Sequence, residues 1–360
     1  MKNTFPIGIL GATGMVGQRY IQLLERHPWF QITWLAASDR SSGKTYGEAA
    51  KWRLDTPLPE RIANMTVSPA LPPGAASGNT PAPKIIFSSV DAAFARELEP
   101  HFAAAGCAVV SNSSAFRMAP NVPLVLPEVN AEHLHLIEEQ SWRKDSGGYI
   151  VTNSNCTVMG PVLALKPLVD RFGVEQIIAT SMQAVSGAGY PGVASMDILD
   201  NVVPYIPNEE EKMEEEMLKL LGELEDNPAG RVVKPLNARM SASCNRVPVV
   251  DGHTVSVFVK LGKPATREEI LAAWAEFRPL AGQNLPTAPD QPVEWAPQPD
   301  RPQPRLDRNR GNGMTVTVGR LRPCGVLDWK FTVLSHNTIR GAAGATILNA
   351  ELLASLGKLP

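Results

Sequence analysis

Cysteine is scarce in this chain, and its four copies stand far apart. Cys107, Cys156, Cys244 and Cys324 form no CxxC pair, which argues against a disulfide framework or a clustered zinc site and for reduced thiols. Charge of one sign is lacking too. With 34 basic against 36 acidic side chains the formal net charge is −2, so neither nucleic acid nor an anionic membrane is the expected main partner. A small anionic substrate would need only two or three local cations. No apolar run approaches the length of a membrane span. A strand-like segment starts within a few residues of Met1, leaving no room for a signal peptide, so a cytoplasmic location is expected. Internal repeats are absent.

What remains is an ordinary globular composition, 44% apolar and 19% charged. At 360 residues it exceeds what one core normally serves, so two domains are expected. From residue 5 to about residue 150, short apolar runs (6–11, 31–37, 84–88, 107–111 and 149–154) alternate with helical spacing at 15–26 and 92–105. That alternation predicts a parallel sheet flanked by helices. After residue 155 the runs 176–185, 246–250, 254–261, 314–319 and 327–334 predict a largely antiparallel sheet, with Asp251-Gly252 as a hairpin turn. Helices are expected at 192–201, 208–224 and 266–277, and the alanine-rich tail 341–356 is expected to pack back onto the first domain. Two stretches read as irregular: a surface loop at 68–83, and the proline-rich connection 286–304, unsuited to a sheet interior.

One cysteine stands where a strand becomes a helix. Asn155-Cys156-Thr157 follows an extended segment, and the helical pattern that begins at Thr157 tolerates Pro161 near its first turn. Backbone N–H groups and the helix dipole at such a place favour a thiolate, which is a covalent nucleophile. At the other end of the first half, Gly8-Ile-Leu-Gly-Ala-Thr-Gly-Met-Val-Gly17 closes a strand and opens a helix. Gly11, Gly14 and Gly17 form a GxxGxxG variant of the dinucleotide fingerprint, in which backbone N–H groups approach a pyrophosphate. The second strand ends at Ser38, and Arg40 with the flanking Ser38 and Ser41 suits a 2′-phosphate, hence NADP. Asp39 argues the other way, because turned inward it would repel that phosphate. The combination points to an oxidoreductase that works through a thioester.

Cys156 needs a group to handle protons. His253, just after the Asp251-Gly252 turn, is the candidate, with Arg246 seven residues upstream on the other arm of the expected hairpin as a carboxylate binder. His27, His101, His133 and His135 read as surface residues. Gln183-Ala-Val-Ser-Gly-Ala-Gly-Tyr-Pro-Gly192 is a strand ending in a glycine-rich loop able to approach a ligand. In the acidic helix after Asn208, Glu209 and Lys212 share one side, and spacing alone reads them as an exposed ion pair.

Four separated motifs carry a family resemblance: Gly-Ala-Thr-Gly-Met-Val-Gly, Ser-Asn-Cys-Thr, Gln-Ala-Val-Ser-Gly-Ala-Gly, and Cys244-Asn-Arg-Val-Pro-Val-Val-Asp-Gly-His253. In order and over nearly the whole chain they resemble aspartate-semialdehyde dehydrogenase, in its archaeal and fungal-like branch, as do 302–308 and 313–320. The resemblance implies a Rossmann-type parallel-sheet domain (1–154, completed by 337–360). It also implies an α+β catalytic and dimerisation domain (155–336), in a homodimer or homotetramer. It implies NADPH-dependent reductive dephosphorylation of L-4-aspartyl phosphate to L-aspartate 4-semialdehyde, with release of phosphate, in lysine, threonine and methionine biosynthesis. Cys156 would then be the nucleophile, His253 the acid/base and Gln183 the residue that orients the thiohemiacetal. Arg246 would bind the α-carboxylate and Glu209 the α-amino group, while Lys212, Asn155 and Arg117 would hold phosphate. Gly11, Thr13, Gly14, Met15, Val16, Gly17, Ser38, Arg40, Ser41, Ser186, Gly187 and Asn337 would hold NADP.

A malonyl- or succinyl-CoA reductase on the same scaffold is the nearest rival. A catalytically silent nucleotide-binding paralogue is a reading from another class, against which the presence of Cys156 speaks. The extended short-chain oxidoreductases also use GxxGxxG but need Tyr-x-x-x-Lys, and none of the five tyrosines has a lysine four residues on.

Overall fold

The computed structural model describes residues 4–74, 82–228 and 230–360, which build two six-stranded sheets. The first contains β1 (Phe5–Leu10), β2 (Phe30–Ala36), β3 (Val67–Ser68), β4 (Ile85–Ser88), β5 (Ala108–Ser111) and β6 (Tyr149–Thr152). All its pairs are parallel, in the order β3-β2-β1-β4-β5-β6. Alternate side chains fill two cores. Ile7 and Ile9 pack with Tyr20 and Ile21 of α1 (Met15–Leu24), while Leu10, Trp34 and Ile86 pack with Phe102 of α2 (Ala92–Ala104). Burial on both faces explains the continuous apolar runs. The strand order reverses between β1 and β4, which opens a crevice beyond their carboxyl ends.

Beyond β6, α3 (Met159–Phe172) lies on the inner face of the second sheet, where Val162, Leu163 and Leu165 meet Val255, Val257 and Val333. That sheet starts with β7 (Val174–Gln183). A two-stranded ribbon, β8 (Glu223–Asn227) and β9 (Gly230–Lys234), follows α4 (Glu209–Leu220). The sheet is completed by β10 (Arg239–Arg246), β11 (His253–Leu261), β12 (Val293–Ala296), β13 (Val316–Pro323) and β14 (Trp329–Ser335), with α5 (Arg267–Glu276) between β11 and β12. Its order is β10-β7-β11-β14-β13-β12. The tail, as expected, turns back. After a π-helical turn at Ile339–Ala343, α6 (Gly344–Ser355) inserts Ile347, Leu348, Leu352 and Leu353 into the first domain's core.

Several expectations need correction. The Asp251-Gly252 hairpin does not form, because β10 and β11 are not partners: β7 lies between them, parallel to β10 and antiparallel to β11. Residues 247–252 instead cross the end of β7, where the Val249 and Val250 carbonyls accept from the N–H groups of Val185 and Ser186. Gly252 still supplies a positive φ of 105° there. The sheet is therefore mixed, antiparallel at its centre and parallel at both edges. The helix expected over 192–201 is reduced to one turn at Ser195–Ile198. The proline-rich connection contains β12, whose prolines flank the strand without interrupting it, as an edge position allows. The expected loop at 68–83 begins as the end of β3, and its residues 75–81 lie outside the described residues. His133 is fully buried, bonded to Asn130 and to the Gly222 carbonyl. Burial drives its pKa down to about 4. His27 is bonded to the buried carboxylate of Glu351. His101 and His135 are exposed, as read.

Arg340, in the π-helical turn, donates twice to Glu128 at 2.7 Å, with both side chains wholly buried. Removing one member of such a pair leaves an uncompensated charge. Glu128→Ala should lower the unfolding free energy by about 3–5 kcal/mol in urea titration. A loss below about 1 kcal/mol would show that the tail is held by apolar packing alone.

Candidate active site

Cys156 sits where the two sheets meet. After β6 the chain runs through Ser154 and Asn155 into a turn at Cys156 that leads into α3. Asn155 organises that turn. Its Oδ1 accepts from the Thr157 N–H at 2.7 Å and its Nδ2 donates to Glu209 at 2.9 Å. The second sheet delivers the partners from three adjacent strands. Arg246 on β10 pairs with Gln183 on β7, and Thr254 pairs with Met182, which sets His253 on β11 level with Gln183. Three side chains thus form one row across the sheet end.

The row reaches the sulfur. His253 Nε2 lies 3.2 Å from Cys156 Sγ, and Nδ1 accepts from the Ala184 N–H at 3.0 Å. Arg246 donates from Nη1 to the Ala184 carbonyl at 2.8 Å. From the first domain, Arg117 donates from Nη1 to Glu216 at 3.0 Å and from Nη2 to the Asn112 carbonyl at 2.8 Å. Its Nε is buried with no hydrogen-bond partner, a donor suited to an arriving anion.

Burial dominates the electrostatics. It pushes the Cys156 thiol up to about 12, with Glu209 adding to the rise and Arg117 and Arg246 opposing it. It drives His253 down to about 3, reinforced by Arg246 and His336. The donors at the helix N-terminus favour the thiolate, and desolvation works against them as the larger effect on this sulfur.

A cleft of about 1270 Å³ runs from the β1–α1 turn to Cys156. Gly11, Thr13, Gly14, Met15 and Val16 line one end, and Ser38, Asp39 and Arg40 form an exposed rim. Arg117, Asn155, Ser186, Gly187, Lys212 and Asn337 line the other end. The residues fit a dinucleotide. α1 opens on the cleft at Gly14 with no side-chain cap and no acidic residue in its first turn, leaving its N–H groups to an anion.

Other expected residues stand behind the wall or brace it. A Cβ at Gly17 would fall 2.4 Å from the Gly11 carbonyl oxygen, so this glycine serves helix–strand packing. Ser41 lies in the turn after β2, its N–H donating to Ser38. Gln183 is buried and donates to Ser181 Oγ at 3.2 Å. Asn337 accepts from the Gly252 N–H and donates to Ser186 Oγ, both at 2.8 Å. Glu209 is buried against Asn155 and Thr157, not exposed as spacing alone suggested. Among its neighbours, Glu210 accepts from the Cys244 N–H and Glu211 faces solvent.

Three further residues shape the site and escaped the sequence reading. Glu216 accepts from Arg117, and also from Ser154 Oγ and the Asn155 N–H, each at 2.7 Å. Its place two helical turns beyond Glu209, on the same face, is the signal that marks it. Gly341 lets the tail pass directly over Cys156, since a Cβ there would meet Cys156 Cβ at 2.7 Å. Ala184 holds both Arg246 and His253 through its backbone alone, which a side-chain reading does not register.

A dinucleotide crevice ending at a cysteine–histidine pair flanked by buried arginines is the layout of a dehydrogenase that works through a thiol. Two family models match: "Semialdehyde dehydrogenase, NAD binding domain" over residues 6–137 and "Semialdehyde dehydrogenase, dimerisation domain" over 165–340. The chain belongs to the aspartate-semialdehyde dehydrogenase family. It is 51% identical over 349 residues to the aspartate-semialdehyde dehydrogenase of Archaeoglobus fulgidus, covering 97% of this chain and 98% of that one. The crystal structure of the Candida albicans enzyme with NADP superposes with a TM-score of 0.89 at 43% identity, over 99% of this chain and 100% of that one. Aspartate semialdehyde dehydrogenase II of Vibrio cholerae, solved complexed with ASA, gives a TM-score of 0.74 at 26% identity, over 98% and 99% of the two chains. Among the described residues, no helix is long and apolar enough to cross a membrane.

The raised thiol pKa predicts how Cys156 reacts with iodoacetamide. Thiolate appears only as pH rises towards about 12. Alkylation of the Cys156 peptide, followed by mass spectrometry, should therefore climb about tenfold per pH unit between roughly pH 7 and pH 10. A plateau below about pH 8 would mean that the helix N-terminus outweighs burial.

Proposed function

We propose that this chain reduces L-4-aspartyl phosphate to L-aspartate 4-semialdehyde and phosphate, through a thioester on Cys156. The observation that carries the reading is the 3.2 Å approach of Cys156 Sγ and His253 Nε2 at the inner end of a dinucleotide crevice. The substrate has two anionic ends and one cationic one, and the site offers a group for each. Arg246, beside the pair, takes the α-carboxylate. Glu209 takes the α-amino group. Arg117, through its unpartnered Nε, and Lys212 on the cleft wall take the phosphate. Sulfur attacks the acyl carbon while these cations draw off the phosphate. Bound NADPH supplies the hydride that reduces the thioester. The Cys156 N–H receives the developing oxyanion, because the Asn155 amide is committed to Thr157 and Glu209. Asn155 thus serves phosphate and sulfur indirectly, by shaping the turn.

Gln183, level with His253 in the row, fixes the orientation of the thiohemiacetal. Thr13 to Val16 present N–H groups to the pyrophosphate of NADP, and Arg40 with Ser38 on the rim receives the 2′-phosphate. Ser186, Gly187 and Asn337 close the nicotinamide end. A Cβ at Gly187 would sit 2.9 Å from Arg246 Nη1 and 3.0 Å from His253 Cε1, so glycine lets this loop lie directly against both side chains. The oligomer is a homodimer or a dimer of dimers, joined through the dimerisation domain. Free cysteines suit a reducing compartment, and we assign the enzyme to the cytoplasm.

Two measurements test this. Cys156→Ser should abolish phosphate-dependent NADP reduction by aspartate semialdehyde, and residual activity near wild type would refute the covalent role. Glu216→Gln should raise KM for phosphate by about 10- to 100-fold, the size of a lost charged hydrogen bond, while KM for NADP stays put. Equal weakening of both would reduce Glu216 to a folding residue.

A further inference from the structure

Arg117 is held at both ends by one helix. Its guanidinium donates to Glu216 of α4 at 3.0 Å. Its backbone carbonyl accepts from Lys219, one turn further along the same helix, at 2.6 Å. Lys219 Nζ also donates to the Ala119 and Val122 carbonyls, at 3.1 and 3.4 Å. The three acceptors belong to the stretch 112–122 that follows β5, in which Asn112, Ser113, Ser114 and Arg117 line the cleft. An ammonium carries three donors and no acceptor, so three converging carbonyls match it fully. Lys219 is only 6% exposed, and burying a cation that far is costly. An apolar side chain would close the last turn of α4 without that cost, but it could not gather the loop's carbonyls.

We propose that Lys219 is a positioning residue for anion binding: by drawing together the carbonyls of residues 117, 119 and 122, it sets the loop that presents the unpartnered Nε of Arg117 to phosphate. This rests on the assignment of phosphate to Arg117 made above, and it deepens that assignment. Glu216 fixes the direction of the guanidinium, but a loop free to shift would carry the whole residue with it. A misplacement of about 1 Å is enough to weaken a catalytic site severely. With backbone and guanidinium anchored on one rigid helix, the side chain between them has little room to move.

Lys219 does this only as an ammonium. A neutral amine has two N–H groups and a lone pair, and the lone pair would face one of the carbonyl oxygens. Burial lowers the pKa of Lys219 to about 8, with Glu216 working the other way. Of the other charged or titratable groups around it, Arg117 turns its carbonyl to the amine. His133, from the helical turn Ala131–Glu139, is kept neutral by burial, with the Lys219 charge contributing. The three-carbonyl grip is therefore complete below about pH 8 and loses one arm above it.

The test is a double-mutant cycle in the full-length enzyme, read as KM for phosphate in phosphate-dependent NADP reduction. Lys219→Met keeps the stem and removes the donors. Alone it should raise KM for phosphate by at least about tenfold, with KM for NADP unmoved. In the Arg117→Ala background the same change should add less than about twofold, because its effect passes through Arg117. Effects that multiply, or an equal rise in both KM values, would overturn the proposal. In wild type, KM for phosphate, counted as the dianion, should rise several-fold between about pH 7 and pH 9, and Lys219→Met should lack this rise. A flat wild-type profile would overturn the proposal even if the variant did not fold. Amide hydrogen exchange over residues 112–122 separates this result from the substrate assignment. Arg117→Ala with an unmoved KM for phosphate would refute that assignment, whereas Lys219→Met should still speed exchange in the loop by about tenfold. Unchanged exchange there would free the loop from Lys219.

Discussion

A single buried carboxylate, that of Glu216, supports the catalytic geometry. An ionised carboxylate inside a protein is costly unless its oxygens are fully engaged. Here the donors are Arg117, the Ser154 hydroxyl and the Asn155 N–H. Arg117 follows β5 in the first domain, Glu216 belongs to α4 beside the second sheet, and Asn155 immediately precedes the nucleophile. None of the three can be withdrawn without stranding a charge or an N–H in the interior. Arg117 and Cys156, to which we assign the phosphate and the attack on carbon, are therefore held in one frame.

The electrostatics of the site follow from the same economy of solvent. Burial drives thiol and imidazole alike towards their neutral forms. The persistent charges close to them are those of Arg117, Arg246 and Glu209. The proposed substrate, dianionic with one ammonium group, would meet arginines already fixed by backbone carbonyls and by Glu216. Little of the binding energy then goes into rearranging the protein.

Much of this was legible in the sequence where a pattern is local. Paired burial on both faces of a parallel sheet prints itself as apolar runs, and the turn from β1 to α1 as glycines at 11, 14 and 17. The cysteine at the strand–helix junction was equally plain. What the sequence hid was non-local. Asp251-Gly252 carries a real positive-φ signal at Gly252, yet turn chemistry cannot tell a hairpin from a crossing over β7, because only sheet order decides that. Arg246 and His253 were rightly placed together but for the wrong reason, since β7 and the Ala184 peptide join them. The thiol's state also resisted reading. Helix-end donors are visible in a sequence, whereas desolvation depends on what packs above, here the tail at Gly341.

That tail has a bearing on how the molecule is made. α6 supplies Ile347, Leu348, Leu352 and Leu353 to a core whose other walls come from β1, β2 and α1. During synthesis from the amino end, the nucleotide-binding half therefore waits, one wall missing, while some two hundred intervening residues emerge. The second sheet can close around α3 before then. The half that the ribosome starts first is the half that it allows to finish last.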